Sequence, residues 1–341
     1  MSARKKKQEG KKMKRIVLFF ALFLLLCGCG RQEQETPAPV PTAAATMAAT
    51  EPPVTMPPAV EAEALALVEA PEPAVSVVLE AFPSGQLEAR CDDAIVDYSH
   101  TEDGYVMARY TAQTEKRLKL RIIGPTTTYT YNLPVDEWTV FPLSDGNGSY
   151  TVAIYINTRD SKYATVMTAE FSVELKDEFA PFLRPNQYVD YSDAPDSVEK
   201  GARLCAGLTE PLEKVAAVYD FVVGALVYDE EKAATVKSGY LPVLDEVLAE
   251  QKGICFDYAA LMTAMLRSQE VPCKLVVGYA GDIYHAWISV WTEHNGWVDG
   301  AIFFDGHAWK RMDPTFASYG ARSAEIMDFI ENGNYTVKYL Y

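Results

Sequence analysis

The chain has 341 residues, with 31 Lys and Arg side chains against 47 Asp and Glu, and a formal net charge of −16 at pH 7. This length is enough for two modest domains. Such an acidic balance excludes the basic surface that binds nucleic acid, and anionic lipid surfaces would repel it. We therefore expect no nucleic-acid partner.

Residues 1–28 have the pattern of an export signal. Residues 4–15 are basic, residues 16–26 form an apolar run of 11 residues, and Leu26-Cys27-Gly28-Cys29 follows. The run is too short for a permanent membrane span. The final four residues resemble the lipobox of bacterial lipoproteins, which implies cleavage before Cys29 and its lipidation. A plain signal peptide or a short anchor is the alternative. We expect export and anchoring at the bacterial cell membrane or outer envelope.

Two composition changes divide the following chain. Residues 29–73 are rich in Pro, Ala, Thr and Glu, without apolar periodicity, which predicts a disordered tether. Residues 74–178 contain short alternating runs separated by turn residues, the first at residues 75–79. This pattern predicts an all-β, immunoglobulin-like sandwich domain of about seven strands. Residues 179–197 are predicted to be a linker.

Residues 198–341 change to helical spacing and then to strands. A helix is predicted from Val198, capped by Asp196-Ser197, and a second helix is predicted with Thr209 as N-cap. Near the end, residues 324–330 are predicted to form a short helix, and residues 335–341 an edge strand. These elements surround the part of the chain that carries the chemistry.

Cys255, His285 and Asp313 follow one another in that part. A Cys attacks a carbonyl as its thiolate, a nearby His generates that thiolate, and a third polar group fixes the imidazole tautomer. Gly253 precedes Cys255, and an apolar helical run follows it. Cys255 should therefore lie at a helix N-terminus, where the helix dipole favours a thiolate and free backbone N–H groups can bind an oxyanion.

The blocks Gly253-Ile254-Cys255, His285-Ala286-Trp287 and Asp313-Pro314-Thr315 resemble the transglutaminase-like superfamily of papain-type thiol enzymes. The resemblance covers about residues 202–316. It implies an α+β papain-like domain over residues 198–341 that acts on amide bonds through a Cys-His-Asp triad and a thioester. Peptidase or amidase hydrolysis and transamidation both stay open, and the substrate would be a protein or a peptide, including cell-wall peptide.

Several assignments around the triad have alternatives. An extra strand pair between His285 and Asp313 makes Asp299 and Asp305 rival third members. The superfamily places a polar or aromatic oxyanion donor upstream of the Cys, for which the chain offers Gln251 and Tyr228. Trp287 is expected either in core packing or in a wall of the acyl cleft.

Two cysteines outside the triad, Cys205 and Cys273, have two possible roles. Cys205 and Cys273 would be the pair to form a disulfide, or else two buried small hydrophobic side chains. The body has no metal-ligand spacing, so no metal or other cofactor is expected. The alternative to an enzyme is a catalytically silent binding or assembly module that works through the β-sandwich domain. The oligomeric state is left open.

Overall fold

The computed structural model describes residues 71–293, 296–299, 301–304, 309–312, 315 and 334–341. Only the backbone is described for residues 299, 301–304 and 309–312. The predictions for the export signal, Cys29, the tether, the helix at residues 324–330 and Asp313 lie outside the described residues. Within the described residues, no helix is both long and apolar enough to cross a membrane.

The first part of the described chain is rich in β-structure. Its strands are β1 (Glu88–Arg90), β2 (Ala94–Asp97), β3 (Tyr105–Tyr110), β4 (Leu118–Ile123), β5 (Thr128–Asn132), β6 (Thr139–Pro142), β7 (Gly148–Arg159) and β8 (Lys162–Val173). They form two antiparallel four-stranded sheets, in the orders β1-β2-β3-β6 and β5-β4-β7-β8. The predicted β-rich region is thus present, and its immunoglobulin-like character stays a prediction.

The prediction of a strand at residues 75–79 is wrong. Residues 74–80, here called the leading segment, instead lie along the helical part of the chain. The backbone N–H of Ala74 donates to Ala202 O at 2.9 Å, and that of Val77 donates to Ser268 O at 2.8 Å. The Gln269 side chain also donates to Ser76 Oγ at 2.9 Å. The bonds to Ala202 and Ser268 satisfy two backbone N–H groups that, in a strand, would have paired with a neighbouring strand of a sheet.

Five α-helices follow in the continuously described part of the chain, residues 71–293, and the structure corrects the predicted starts of the first two. They are α1 (Pro195–Leu204), α2 (Pro211–Ala225), α3 (Glu230–Thr235), α4 (Leu244–Glu250) and α5 (Cys255–Arg267). Helix α1 has Ala194 at its N-cap, and Asp196 lies inside its first turn. The Asp245 carboxylate accepts hydrogen bonds from the N–H groups of Asp196 and Ser197, so a distant carboxylate does the capping. The N-cap of α2 is Glu210 and not Thr209.

A third four-stranded sheet packs against these helices. It consists of β11 (Cys273–Ala280), β12 (Ile283–Thr292), β13 (Gly296–Asp299) and β16 (Tyr335–Leu340), in the order β13-β12-β11-β16. Short strands β9 (Val227–Tyr228) and β10 (Lys252–Gly253) pair in parallel, and β14 (Ala301–Phe304) pairs with β15 (Trp309–Met312). The predicted edge strand at the end of the chain is therefore β16.

Helix α5 is the centre of this part. Every residue from Asp257 to Arg267 is buried, which is typical of a helix that is apolar on most of its circumference and enclosed on all sides. The helix ends at Arg267, whose guanidinium donates to Cys273 O at 2.8 Å, Arg184 O at 2.7 Å and Tyr341 O at 2.6 Å. Arg267 thus joins the end of α5 to β11, to the segment before α1 and to the last residue of the chain.

Aromatic side chains connect the last residue to the β-rich region. The Tyr341 ring lies 5.6 Å from that of Tyr129, 5.9 Å from that of Tyr131 and 4.2 Å from that of Tyr188, measured between centroids. The Tyr188 hydroxyl donates to Thr130 O in β5 at 3.1 Å. All the described residues lie in one compact unit, Leu67–Tyr341. The boundary between the two predicted domains stays a prediction.

Replacing Gly278 with alanine is expected to destabilise the fold by about 2–4 kcal/mol, because added atoms in a close-packed site force the backbone to shift. A Cβ at this position would lie 2.0 Å from Thr336 O and 2.8 Å from the Trp287 ring. Chemical denaturation would measure the change, and Gly224→Ala is the control because a Cβ there meets nothing within 4 Å. Equal stabilities of the two variants would contradict the expectation.

Candidate active site

Cys255 is the first residue of α5, and the chain before it is held by a short parallel strand pair. The N–H of Val227 donates to Gln251 O at 2.9 Å, and the N–H of Asp229 donates to Gly253 O at 2.8 Å. Ile254 then adopts an extended conformation as the N-cap. The Cys255 side chain is partly exposed, whereas the helix is buried from Asp257 onward. The strand pair therefore presents a thiol at the positive end of a buried helix.

The Asp257 side chain caps the first turn of α5, the helix to which it belongs. Its carboxylate accepts hydrogen bonds from Ile254 N at 2.8 Å, Lys232 Nζ at 3.0 Å and Tyr240 Oη at 2.6 Å, and the residue is fully buried. A Cβ on Gly253 would lie 2.6 Å from the Asp257 Cβ. Glycine at position 253 therefore leaves room for the carboxylate that fixes the start of the helix.

His285 lies near the start of β12, opposite Gly278 of β11. It is 4% exposed, and its ring stacks on that of Trp287 with the centroids 6.2 Å apart and an interplanar angle of 22°. The Trp287 ring packs in turn against Tyr335 of β16, with the centroids 5.1 Å apart. The strand pairing and this stack together restrict the orientation of the imidazole.

One cavity of about 570 Å³ brings the predicted nucleophile and base together. Cys255 and His285 both line it, and so does Tyr228, one of the two predicted oxyanion donors. Its other described lining residues are Thr130, Tyr188, Ala233, Val236, Lys237, Ser238, Gly239, Tyr240, Ile254, Phe256, Val277, Tyr284, Ala286, Tyr339 and Tyr341. The volume and the mostly apolar wall are typical of a small-molecule or peptide site.

The structure does not bring all the predicted residues to this cavity. Gln251 lines a second depression between α1, α2 and α4, so it is separate from Cys255. Trp287 is buried beside His285 and is not among the described lining residues, which corresponds to core packing. Asp313 and Asp305 lie outside the described residues, and Asp299 is described only as the backbone partner of Ser289. The roles of these residues stay predictions.

Other cavity residues had no signal in the sequence. Tyr240 and Lys237 come from the segment between α3 and α4, Tyr188 from the segment before α1, and Thr130 from the β-rich region. Only the folded chain shows that the first part of the protein supplies a wall of the cavity that contains Cys255.

The described cysteines are chemically different from one another. Cys205 and Cys273 are buried and free, so of the two alternatives for this pair the structure has the buried small hydrophobic side chains and not the disulfide. Burial raises the pKa of Cys273 to about 11, and its thiol contacts Thr263 Oγ1 at 3.6 Å. Burial also raises the pKa of Cys205. Cys91 is exposed, which leaves Cys91 and Cys255 as the accessible thiols among the described residues.

No described group of three His, Cys, Asp or Glu side chains is arranged to hold a metal ion. The expectation that the protein needs no metal stays a prediction.

The part of the chain that contains Cys255 and His285 is similar to a known protein family. Residues 199–300 match the model of the transglutaminase-like superfamily. A curated relative, the uncharacterized protein YebA of Bacillus subtilis (strain 168), is 30% identical over 133 residues, which are 32% of this chain and 18% of that protein. The chain thus spans less than a fifth of the curated relative that it matches.

Solved structures with low sequence identity also match. One is a candidate cysteine protease from Cytophaga hutchinsonii, with 13% identity, coverage of 67% of this chain and 68% of that chain, and a TM-score of 0.33. Another is red sea bream transglutaminase, with 13% identity, coverage of 68% and 56%, and a TM-score of 0.27.

Proposed function

Because the chain contains a transglutaminase-like domain of mixed α and β content, preceded by a β-rich region, we propose that it is a thiol enzyme that acts on amide bonds. Cys255 is the nucleophile and His285 is its general base and acid. The observation that carries this proposal is that Cys255, at the N-terminus of the buried helix α5, and His285, on β12, line one cavity.

The proposed reaction has two steps. The Cys255 thiolate attacks the carbonyl carbon of an amide, His285 gives its proton to the leaving nitrogen, and a thioester forms as the amine departs. In the second step, His285 takes a proton from water or from an acceptor amine, which attacks the thioester. Water yields a carboxylic acid and an amine yields a new amide, and Cys255 is released in both cases. We favour hydrolysis.

Two further groups complete the proposed mechanism. The backbone N–H of Cys255 and the Tyr228 hydroxyl stabilise the oxyanion of the tetrahedral intermediate, since both residues line the cavity. Asp313 orients His285, as the resemblance of Asp313-Pro314-Thr315 to the superfamily motif implies. Asp299 and Asp305 are the rivals for this role, and replacement of each by alanine would separate them.

We further propose that the enzyme works outside the cytoplasm as an anchored lipoprotein. The support is the basic and apolar leader with its lipobox-like end at Cys29. A location at the cell membrane or outer envelope would bring the cavity close to surface proteins and to cell-wall peptide, which are the proposed substrates. Export also favours the proposal of an immunoglobulin-like character for the β-rich region, since such domains are common at cell surfaces.

Alkylation with iodoacetamide tests the thiol–imidazole pair. At pH 7, we expect Cys255 to react at least tenfold faster than the exposed Cys91, because only Cys255 has a helix N-terminus and an imidazole in its surroundings. In His285→Ala the Cys255 rate should fall to that of Cys91. Peptide mass spectrometry measures both rates in one sample, and His100→Ala, in the β-rich region, is the matched control.

Equal rates for Cys255 and Cys91 in the folded wild-type protein would contradict the proposal. The binding or assembly module would then become the better interpretation of the chain. A fast Cys255 that is insensitive to His285→Ala would remove His285 from the mechanism and leave the helix N-terminus as the activating group.

A further inference from the structure

The described wall of the Cys255 cavity contains one residue with a permanently charged side chain, and that charge is positive. Among the described lining residues, Lys237 is the one Lys or Arg side chain, and no Asp or Glu is present. The whole chain has a formal net charge of −16. The charge on the cavity wall is thus opposite in sign to the net charge of the protein. Lys237 is an exposed residue, so its field acts on a ligand most strongly at low salt.

Two lysines lie near this wall, and only one is neutralised. Lys232 pairs with Asp257, with Nζ and Oδ2 3.0 Å apart. Lys237 has no carboxylate within 4.0 Å among the part of the chain that the structure describes. The charge of Lys237 is therefore available to a ligand, whereas that of Lys232 is used in holding the start of α5.

The segment that carries Lys237 is fixed to the helix that carries Cys255. The N–H of Tyr240 donates to Lys237 O at 3.2 Å, and the Tyr240 hydroxyl donates to the buried Asp257 carboxylate at 2.6 Å. Asp257 in turn accepts from the N–H of Ile254. A continuous series of hydrogen bonds thus runs from the backbone of Lys237 to the residue before Cys255.

The tyrosines of the wall add no negative charge at neutral pH. Burial raises the pKa of Tyr188 to about 12, and burial also raises the pKa values of Tyr284 and Tyr341. Burial and the hydrogen bond to Asp257 raise the pKa of Tyr240. These side chains therefore present neutral aromatic faces and hydroxyl groups around one ammonium group.

We propose that the cavity selects amide substrates that carry a carboxylate close to the bond attacked by Cys255, with Lys237 as the residue that binds this carboxylate. Lys237 is then a specificity-determining residue for the reaction, and the aromatic wall accepts the less polar remainder of a peptide. This inference rests on the proposed function, since it assigns a substrate class to the same cavity. A peptide carboxylate can come from an Asp or Glu side chain or from a chain terminus.

An anionic and a neutral alkylating reagent, compared at the same thiol, test the proposal. Iodoacetate and iodoacetamide both react by displacement of iodide by the same thiolate, so the ratio of their rates cancels the thiolate fraction. It reports the charge that the reagent meets. In the purified full chain at low salt, we expect this ratio to be about three- to tenfold higher at Cys255 than at Cys91. Cys91 lies between Arg90, which is paired with Glu88, and Asp92-Asp93.

Lys237→Gln should lower the ratio at Cys255 at least twofold, and the remaining excess over Cys91 comes from the His285 imidazolium and the N-terminus of α5. Lys162→Gln is the matched control, because it removes one positive charge from the exposed first residue of β8. A ratio in Lys237→Gln equal to that of the wild type would overturn the proposal. Slow alkylation of Cys255 by iodoacetamide itself would instead count against the proposed function, so the two failures are distinguishable.

Two longer probes separate the sources of the carboxylate. Iodoacetyl-glycine carries a terminal carboxylate, iodoacetyl-glutamic acid α-amide carries a side-chain carboxylate, and iodoacetyl-glutamine α-amide is the neutral reference. A faster reaction of either anionic probe at Cys255, lost in Lys237→Gln, supports the proposal and identifies the source. If the neutral probe reacts as fast as both anionic probes, the cavity does not select a carboxylate.

Discussion

Replacing Arg267 with methionine is expected to lower the free energy of unfolding by about 3 kcal/mol. The substitution keeps the aliphatic stem but removes donors from three carbonyl oxygens, those of Cys273, Arg184 and Tyr341. A buried acceptor without a partner costs about 1–3 kcal/mol. The Tyr341 carbonyl also accepts from Leu275 N at 2.9 Å, which offsets part of the loss.

Urea or guanidinium unfolding measures this change. Arg203→Met is the matched control, because the Arg203 side chain is exposed and pairs with Glu199 one turn away, a type of contact worth about 0.5 kcal/mol or less. Arg267→Lys should destabilise nearly as much as Arg267→Met, since one ammonium cannot reach three carbonyl groups. A loss below about 1 kcal/mol in Arg267→Met would show that these carbonyl groups find other partners.

Asp257→Ala is expected to lower both the stability and the reactivity of Cys255. The free energy of unfolding should fall by about 2–4 kcal/mol, because the ammonium of Lys232, the hydroxyl of Tyr240 and the N–H of Ile254 lose their common acceptor. The first turn of α5 would then lose its fixed conformation. We expect the iodoacetamide rate at Cys255 to fall at least threefold under native conditions.

Two further variants define the role of Asp257. Asp220→Ala, at an exposed site in α2, is the control for removing a carboxylate. Asp257→Asn keeps an acceptor of the same size and should recover part of the Cys255 reactivity, while losing the charge that pairs with Lys232. If Asp257→Ala retained the wild-type alkylation rate while being destabilised, Asp257 would serve stability alone and would not position Cys255.

The start of α5 and the neighbouring strands could be predicted because their signals are local. Gly253 and the apolar run after Cys255 indicated the helix, and the alternating pattern of residues 335–341 indicated the strand β16. The period-2 runs in residues 103–175 predicted most strands of the β-rich region. Each of these signals lies within a few residues of the element that it predicts.

The supporting contacts of the site could not be predicted in this way. Tyr240 and Asp257 are 17 residues apart, and Arg267 bonds to the carbonyl groups of residues 83 and 74 positions away. No periodicity in the sequence records such pairings, because they depend on how the elements pack. The same reason explains the leading segment, whose alternating side chains matched a strand although its backbone hydrogen-bond partners lie on α1 and directly after α5.

The course of the leading segment has a mechanical consequence. A pulling force transmitted along the backbone from residues before Ala74 would first act on the hydrogen bonds to Ala202 and Ser268, before it reached any strand of the β-rich region. Ser268 directly follows α5, the helix that begins at Cys255. Tension on the chain would thus be applied to the far end of the helix that presents the thiol, and the eight strands from β1 to β8 would be strained only after those bonds had broken.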